Sequence, residues 1–538
     1  MNISGKIVDI HKRDIYPAIV TIEEGIVKNI EKVSTAPERF ILPGLIDSHI
    51  HIESSMITPG AFGMTAVRHG TIGVVSDPHE IANVIGSEGV KFMIEDGKKI
   101  PVKFCFGAPS CVPSTGFETS GATLDHKKVE ELLMLDDVKF LSEVMNFPGV
   151  VFDDPEVWKK IDIARKMNKP IDGHAPGLSG HMLAKYVKAG ISTDHECSNE
   201  KEAREKISLG MKILIREGSA ARNLDSLKDL YNDHAGEIML CSDDLHPEML
   251  RDGHINKLVA RLVSEGYNVF DVIRSATINP VTHYGIDAGL LRKGESADFI
   301  VVGDLMKMNV LETWISGQKV YDGEKVLFEY SPGKPVNKFR CSDITEKDVI
   351  VDNKLGDIRV IEAIDGELMT KELIIPAGTG KTVEADIHND ILKIVVKDRY
   401  KDSPAKVGFI KGFRLKKGAF ASSVAHDSHN IISIGTNDKD IVKAVNEIIK
   451  NKGGLAVSCD GETGSLQLNI AGIMTTRSCE EVAPEYLSLS EKVKSMGCKM
   501  KAPFMTLSFM ALLVIPELKI SDKGLFDVKK FELVSLFL

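Results

Sequence analysis

Apolar and polar positions alternate in short runs over residues 1–40: Lys6-Ile7-Val8-Asp9-Ile10, Ala18-Ile19-Val20-Thr21-Ile22 and Gly25-Ile26-Val27-Lys28-Asn29-Ile30. Period-two runs beside turn-forming Gly and Asp predict a small antiparallel sheet. So few strands do not fold alone. The same pattern returns at Ala297–Gly303 and Thr313–Tyr321, the natural pairing partners. Between these flanks, strand-like runs recur at Ile41–Ile46, Thr71–Ser76, Val102–Gly107, Lys139–Glu143, Pro170–Gly173, Gly190–Asp194, Lys212–Arg216 and Glu237–Cys241. Helical periodicity fills the gaps, most clearly at Pro155–Lys166 and Asn199–Leu209. Eight β/α units over about 250 residues predict a (β/α)8 barrel, here residues 41–294.

From about Val349 the rhythm changes. Strand patterns at Ile358–Ile364, Ile391–Val396 and Lys406–Phe413 precede a helical stretch at Asp438–Lys452, so a separate α+β domain is expected over 345–538. Ser331-Pro332-Gly333-Lys334-Pro335 marks the expected boundary. The longest apolar run, Met505 to Pro516, carries Ser508 inside it and is too short to span a bilayer, so it reads as core.

The polarity of the strand ends changes the picture. The first barrel run leads through Pro43-Gly44 into His49-Ile50-His51, and residues two apart on a strand point the same way. Two imidazoles thus converge, and a borderline transition metal needs more ligands than two. Later runs end in Glu143, His174, His195 and Asp243. Catalytic groups of such barrels sit at these carboxyl ends. Four imidazoles and two carboxylates exceed what one ion takes, so they suggest two ions bridged by a carboxylate.

Composition narrows the class further. A net charge of −10 with both signs interspersed argues against nucleic-acid and acidic-membrane partners. The eight cysteines show no CxxC spacing, which points to reduced thiols, and Met1–Lys6 lack a signal-peptide layout. Both features predict a cytoplasmic protein. Two other motifs fail their tests. Gly378-Thr379-Gly380-Lys381-Thr382 lacks the first glycine of a phosphate loop and is followed by strand-like sequence. His51-Ile52-Glu53 has no P-C-x-x-C downstream, so the zinc nucleobase deaminase arrangement is absent.

The strand-end set resembles the amidohydrolase superfamily and, within it, the adenine deaminase family. The stretches that carry the likeness are Asp47–Ser55, Ser76–Val84, Ser142–Val150, Asp172–Pro176, Asp194–Glu196, Cys241–Pro247 and, in the C-terminal domain, Ala421–Asn430. The fourth strand offers Glu143 where many amidohydrolases carry a lysine to be carboxylated, which fits this family. The resemblance implies a distorted TIM barrel, a small β-sandwich from 1–40 plus 295–335, and the C-terminal α+β domain. It implies two divalent ions, manganese or iron, held by His49, His51, Glu143, His174, His195 and Asp243. It also implies hydrolysis of adenine to hypoxanthine and ammonia in purine salvage, by a cytoplasmic homo-oligomer acting on a small molecule.

On that reading Asp243 accepts the water proton and later delivers it to the leaving amine. Glu53, Glu80 and Glu196 are candidates for the protonated group near N1. Asp244 either holds a protonated N7 or fixes a ligand histidine. Asp77, His79 and Glu80 line the pocket, bind a further metal or cap the following helix, and Arg216 faces the pocket. His426, Asp427 and His429 are expected either to form a loop that closes over the barrel mouth and excludes water or to make an interdomain hydrogen-bond network. Two alternatives stand beside this: an amidohydrolase for another cyclic amide or amidine, and a non-catalytic scaffold, which should have lost ligands.

Overall fold

The computed structural model describes all 538 residues. Eight parallel strands form the barrel: Leu45–Ile50, Thr71–Ser76, Lys103–Ala108, Val138–Val144, Ile171–Gly173, Thr193–Asp194, Lys212–Arg216 and Ile238–Cys241. The first five pair in one sheet and the last three in another. Two seams join them. Ser192 donates its N–H to Ile171 O (2.9 Å), and Asp243 donates its N–H to His49 O (2.9 Å). The fifth and sixth strands are only three and two residues long, which is where the barrel departs from regularity.

The first predicted strand, Ile41–Ile46, divides in two. Phe40–Pro43 joins the flanking sheet, parallel to Lys6–Ile7 and antiparallel to Phe299–Val302, and the barrel strand starts at Leu45. Gly44 makes the switch, because a Cβ there would meet Ile72 Cγ2 at 2.5 Å. The flanking unit is a single seven-stranded sheet built from both ends, with Phe40–Pro43 joining Phe299–Val302 to Asn2–Asp9. One face buries Ile7, Val20, Phe299 and Trp314 against each other. The other turns Val8, Leu42, Ile300 and Val302 toward the barrel helices.

The predicted helices form, at Pro155–Lys166 and Glu200–Ser208; Asp154 and Asn199 cap their first N–H groups. The C-terminal part is built on an eight-stranded sheet that includes Asp357–Ala363, Leu392–Lys397 and Lys406–Lys411, with helix Asp438–Asn451 packed on one face. The other face joins the barrel in one continuous apolar cluster running from Ile50, Phe62 and Leu141 to Phe420, Phe504 and Met510. The run Met505–Pro516 is indeed buried, and part of it also reaches the barrel mouth. No helix is long and apolar enough to cross a membrane.

Candidate active site

Asp47 fixes the geometry from behind. Its carboxylate accepts the N–H of His49 (3.3 Å) and of Ser242 (3.1 Å) and the Ser242 hydroxyl, with His254 Nε2 2.9 Å away. The first and eighth strands are thereby locked in register. His51 donates its N–H to Asp243 O, and Asp243 sits at φ +55°, a left-handed backbone that non-glycine residues hold only when their surroundings enforce it. The result is a triangle: His49 Nε2 and His51 Nε2 are 3.3 Å apart, and Asp243 Oδ1 lies 3.6 and 3.3 Å from them.

Glu143, at the end of the fourth strand, faces two groups at once. Its Oε1 lies 3.3 Å from His51 Nε2, while its Oε2 lies 2.7 Å from His174 Nδ1 and 3.3 Å from His195 Nε2. The His174 N–H is held by the Tyr186 hydroxyl, which itself donates to Val144 O. Asn223 donates from Nδ2 to the carbonyl of His195. All six expected ligands are buried and meet at one barrel end.

These groups fit divalent cations. Ligand atoms about 2.0–2.2 Å from a tetrahedral ion stand ~3.3–3.6 Å from one another, which is the spacing of the His49–His51–Asp243 triangle. Two imidazole Nε2 atoms at 3.3 Å cannot both keep bare lone pairs turned on each other without a positive charge between them. His174 Nε2 and His49 Nδ1 are buried with no partner. Burial pushes the Glu143 and Asp243 carboxyls up, yet the imidazoles around Glu143, and Arg216 with the imidazoles around Asp243, hold both well below the usual carboxylate range. Two carboxylates and four imidazoles are a divalent-metal donor set once a bound cation takes the place of the imidazole protons.

On the substrate side, Arg216 takes a central place. Its Nη1 is 2.5 Å from Glu196 Oε1 and 2.6 Å from Asp243 Oδ2, and Nη2 donates to Glu196 Oε2 (2.9 Å). Glu196 Oε1 also lies 3.5 Å from His174 Nδ1 and 3.4 Å from His195 Nε2. Burial raises the Glu196 pKa and Arg216 outweighs it, leaving an anion. Asp244 moves the other way: burial and its neighbour Asp243 push it up, although His426 opposes them, and Ser54 Oγ donates to its Oδ1 (2.5 Å). His79 Nδ1 lies 3.1 Å from Asp77 Oδ2, and its Nε2 is 3.3 Å from Glu80 Oε1. Glu80 is gripped from the C-terminal domain, by His426 Nδ1 at 2.5 Å and by His429 Nε2.

Glu53 stands apart from this group. It does not line the cavity; its Oε1 accepts the N–H of Ile81 in the helix that begins with His79, and burial raises its pKa to about 7. Of the loop residues, His426 and Asp427 line the cavity and His429 reaches Glu80. Sequence reasoning missed the apolar groups beside them. Leu368, Phe509, Leu512 and Ile515 roof the cavity, and Met145 joins them from the barrel. An apolar run has no polarity break to mark which of its members face a site. The cavity they line has a free volume of about 30 Å³.

Comparison with known proteins agrees with this architecture. Residues 40–320 match the model of the amidohydrolase family, and residues 367–532 match that of the adenine deaminase C-terminal domain. A Methanosarcina mazei protein named adenine deaminase is 52% identical over 99% of both chains. One of the same name from Salinibacter ruber is 49% identical over 100% of this chain and 99% of its own. The chain belongs to the adenine deaminase family. In this member of the family, the C-terminal match takes in the roof and the His426 loop as well as the sheet behind them. The amidohydrolase match takes in every strand end that carries a candidate ligand. Both halves of the cavity therefore lie inside the alignment with the adenine deaminases.

Proposed function

We propose that this chain hydrolyses adenine to hypoxanthine and ammonia, with two divalent ions, manganese or iron, at the strand ends. The observation that carries the reading is Glu143, whose Oε1 lies 3.3 Å from His51 Nε2 and whose Oε2 lies 2.7 Å from His174 Nδ1 and 3.3 Å from His195 Nε2, in a chain aligned end to end with proteins named adenine deaminase. Bound there, the ions would lower the pKa of a water and orient it.

The protein's own groups move the protons. The water oxygen adds to C6 of adenine, one water proton goes to N1, and the other leaves with the amine as ammonia. Asp243 takes the proton bound for the amine; Arg216 fixes its Oδ2, so Oδ1 stays turned to the histidine pair. Glu196 serves N1, taking up the first water proton and handing it on. What supports Glu196 is its place in the cavity lining beside His174 and His195, whereas Glu53 lies off the cavity. Asp244, held by Ser54, faces N7 as an acceptor. The apolar roof supplied by the C-terminal domain is the wall that moves to admit adenine, which links turnover to a conformational step.

The test is a turnover assay on protein expressed with manganese under iron chelation. Adenine should convert to hypoxanthine with equimolar ammonia, and Glu143→Gln should lose both activity and bound metal. A fully metal-loaded protein that leaves adenine intact but opens a cyclic amide would overturn the assignment.

A further inference from the structure

The C-terminal loop does more than cover the site. Glu80 sits between two imidazoles whose protons can be placed. The Ala425 N–H donates to His429 Nδ1 (3.2 Å), so the His429 proton is on Nε2, directed at Glu80 Oε2. His426 meets Glu80 Oε1 through Nδ1 at 2.5 Å, so its Nδ1 carries a proton as well. This leaves His426 Nε2, which is buried, has no hydrogen-bond partner and belongs to a ring lining the cavity. One face of the ring is covered by Phe509, with centroids 4.5 Å apart and planes 18° from parallel. Glu80 on one edge and Phe509 on one face leave the ring a single orientation.

Asp244 lies within reach of the same ring, as a carboxylate oxygen of Asp244, one of Glu80 and a nitrogen of His426 all fall within 4.8 Å of one another. A buried imidazole facing two carboxyls carries a second proton, and its pKa accordingly rises to about 9, burial lowering it and Glu80 and Asp244 raising it further. The cavity wall thus presents an acceptor, Asp244, next to an unspent N–H donor, His426. A purine in its N7–H form offers the complement on its five-membered ring: a donor at N7 and a lone pair at N9.

We propose that His426, supplied by the C-terminal domain, is a substrate-binding residue whose Nε2–H donates to the N9 lone pair of the purine, beside Asp244 at N7. This deepens the adenine reading and rests on it. A base carrying a sugar at N9 has no lone pair there, so the same contact selects the free base over its nucleoside. Glu80 acts through His426 as a positioning residue, joined by His429 on its other oxygen.

The experiment compares kcat/KM for adenine and for 9-deazaadenine, whose C9–H cannot accept a hydrogen bond, in metal-loaded wild type, His426→Ala and His426→Gln. Wild type should favour adenine by at least about tenfold, as for a polar group left unpaired. His426→Ala should lower adenine turnover and bring the ratio near one. His426→Gln, which keeps an N–H, should restore part of the preference and shows that the loop still folds. A ratio that His426→Ala leaves unchanged overturns the contact while leaving adenine deamination standing. A wild type that turns over neither base overturns the functional reading, and this contact with it.

Discussion

On the barrel side of the cavity, apart from Met145, the lining is imidazole, carboxylate and guanidinium; on the C-terminal side, Leu368, Phe509, Leu512 and Ile515 are apolar and only His426 and Asp427 are polar. The barrel groups are fixed by strand register and by buried supports such as Asp47 behind His49 and Asn223 behind His195. The roof is fixed by apolar packing, and its buried lysine, Lys519, meets no carboxylate: its Nζ donates to the carbonyls of Leu368 (2.7 Å) and Phe509 (3.0 Å). The difference separates two jobs. Charge that must act in a reaction is preorganised on rigid elements, whereas a surface that must open to admit a base and close to exclude water is built from groups that give up little when they part.

The largest expected effect breaks the barrel side. Asp243→Asn should lower kcat for adenine by roughly 10²–10⁴, the range for a positioned acid–base group. Metal content, measured by elemental analysis, separates lost proton transfer from lost ions. A smaller loss follows from reaching the same machinery indirectly. Asp47→Asn leaves every ligand in place but weakens the lock between the first and eighth strands. It should cost roughly 10–100-fold in activity or metal affinity, as outer partners of metal ligands do. A normal kcat/KM there would show that the ligand triangle holds without its support.

These two variants also mark how far the sequence could be read. His49, His51, Glu143, His174, His195 and Asp243 were legible because each follows a strand-like run, and period-two geometry fixes where strand ends point. Glu53, one of three candidates for N1, lies two residues past His51, where the chain has already turned into a short 3-10 helix that carries it to Ile81. The split at Gly44 was hidden because one apolar run serves two sheets. The roof was illegible, since Leu368 and Phe509 lie far apart in the chain and only tertiary packing brings them to one cavity.

On the roof the effects should be weaker and of another kind. Phe509→Ala removes the ring stacked on His426 and part of the cover. KM for adenine should rise about tenfold, corresponding to ~1.4 kcal/mol of lost apolar contact, while kcat changes less. Truncating a buried phenyl ring should also cost about 3–5 kcal/mol of stability, read in a denaturant titration. The smallest effect concerns pH. Burial pulls the Lys519 pKa down from 10.5 to about 7. Between those values the unfolded chain binds a proton that the native state releases. The contribution is therefore fully present above pH 10.5 and is lost as pH falls toward 7. In Lys519→Met the difference in melting temperature between pH 7.5 and pH 9.5 should be narrower than in wild type. An unchanged difference would mean that the amine stays charged beneath the roof.

The division between the two sides is tested most directly by single-turnover measurement, with metal-loaded protein in excess over adenine and hypoxanthine followed in time. The rate constant for bound adenine should fall by roughly 10²–10⁴ in Asp243→Asn with its metals retained. In Phe509→Ala, once adenine is fully bound, it should stay within about tenfold of wild type. Equal slowing in the two variants, or an Asp243→Asn that converts adenine at the wild-type rate, would contradict the placement of the chemistry on the barrel side.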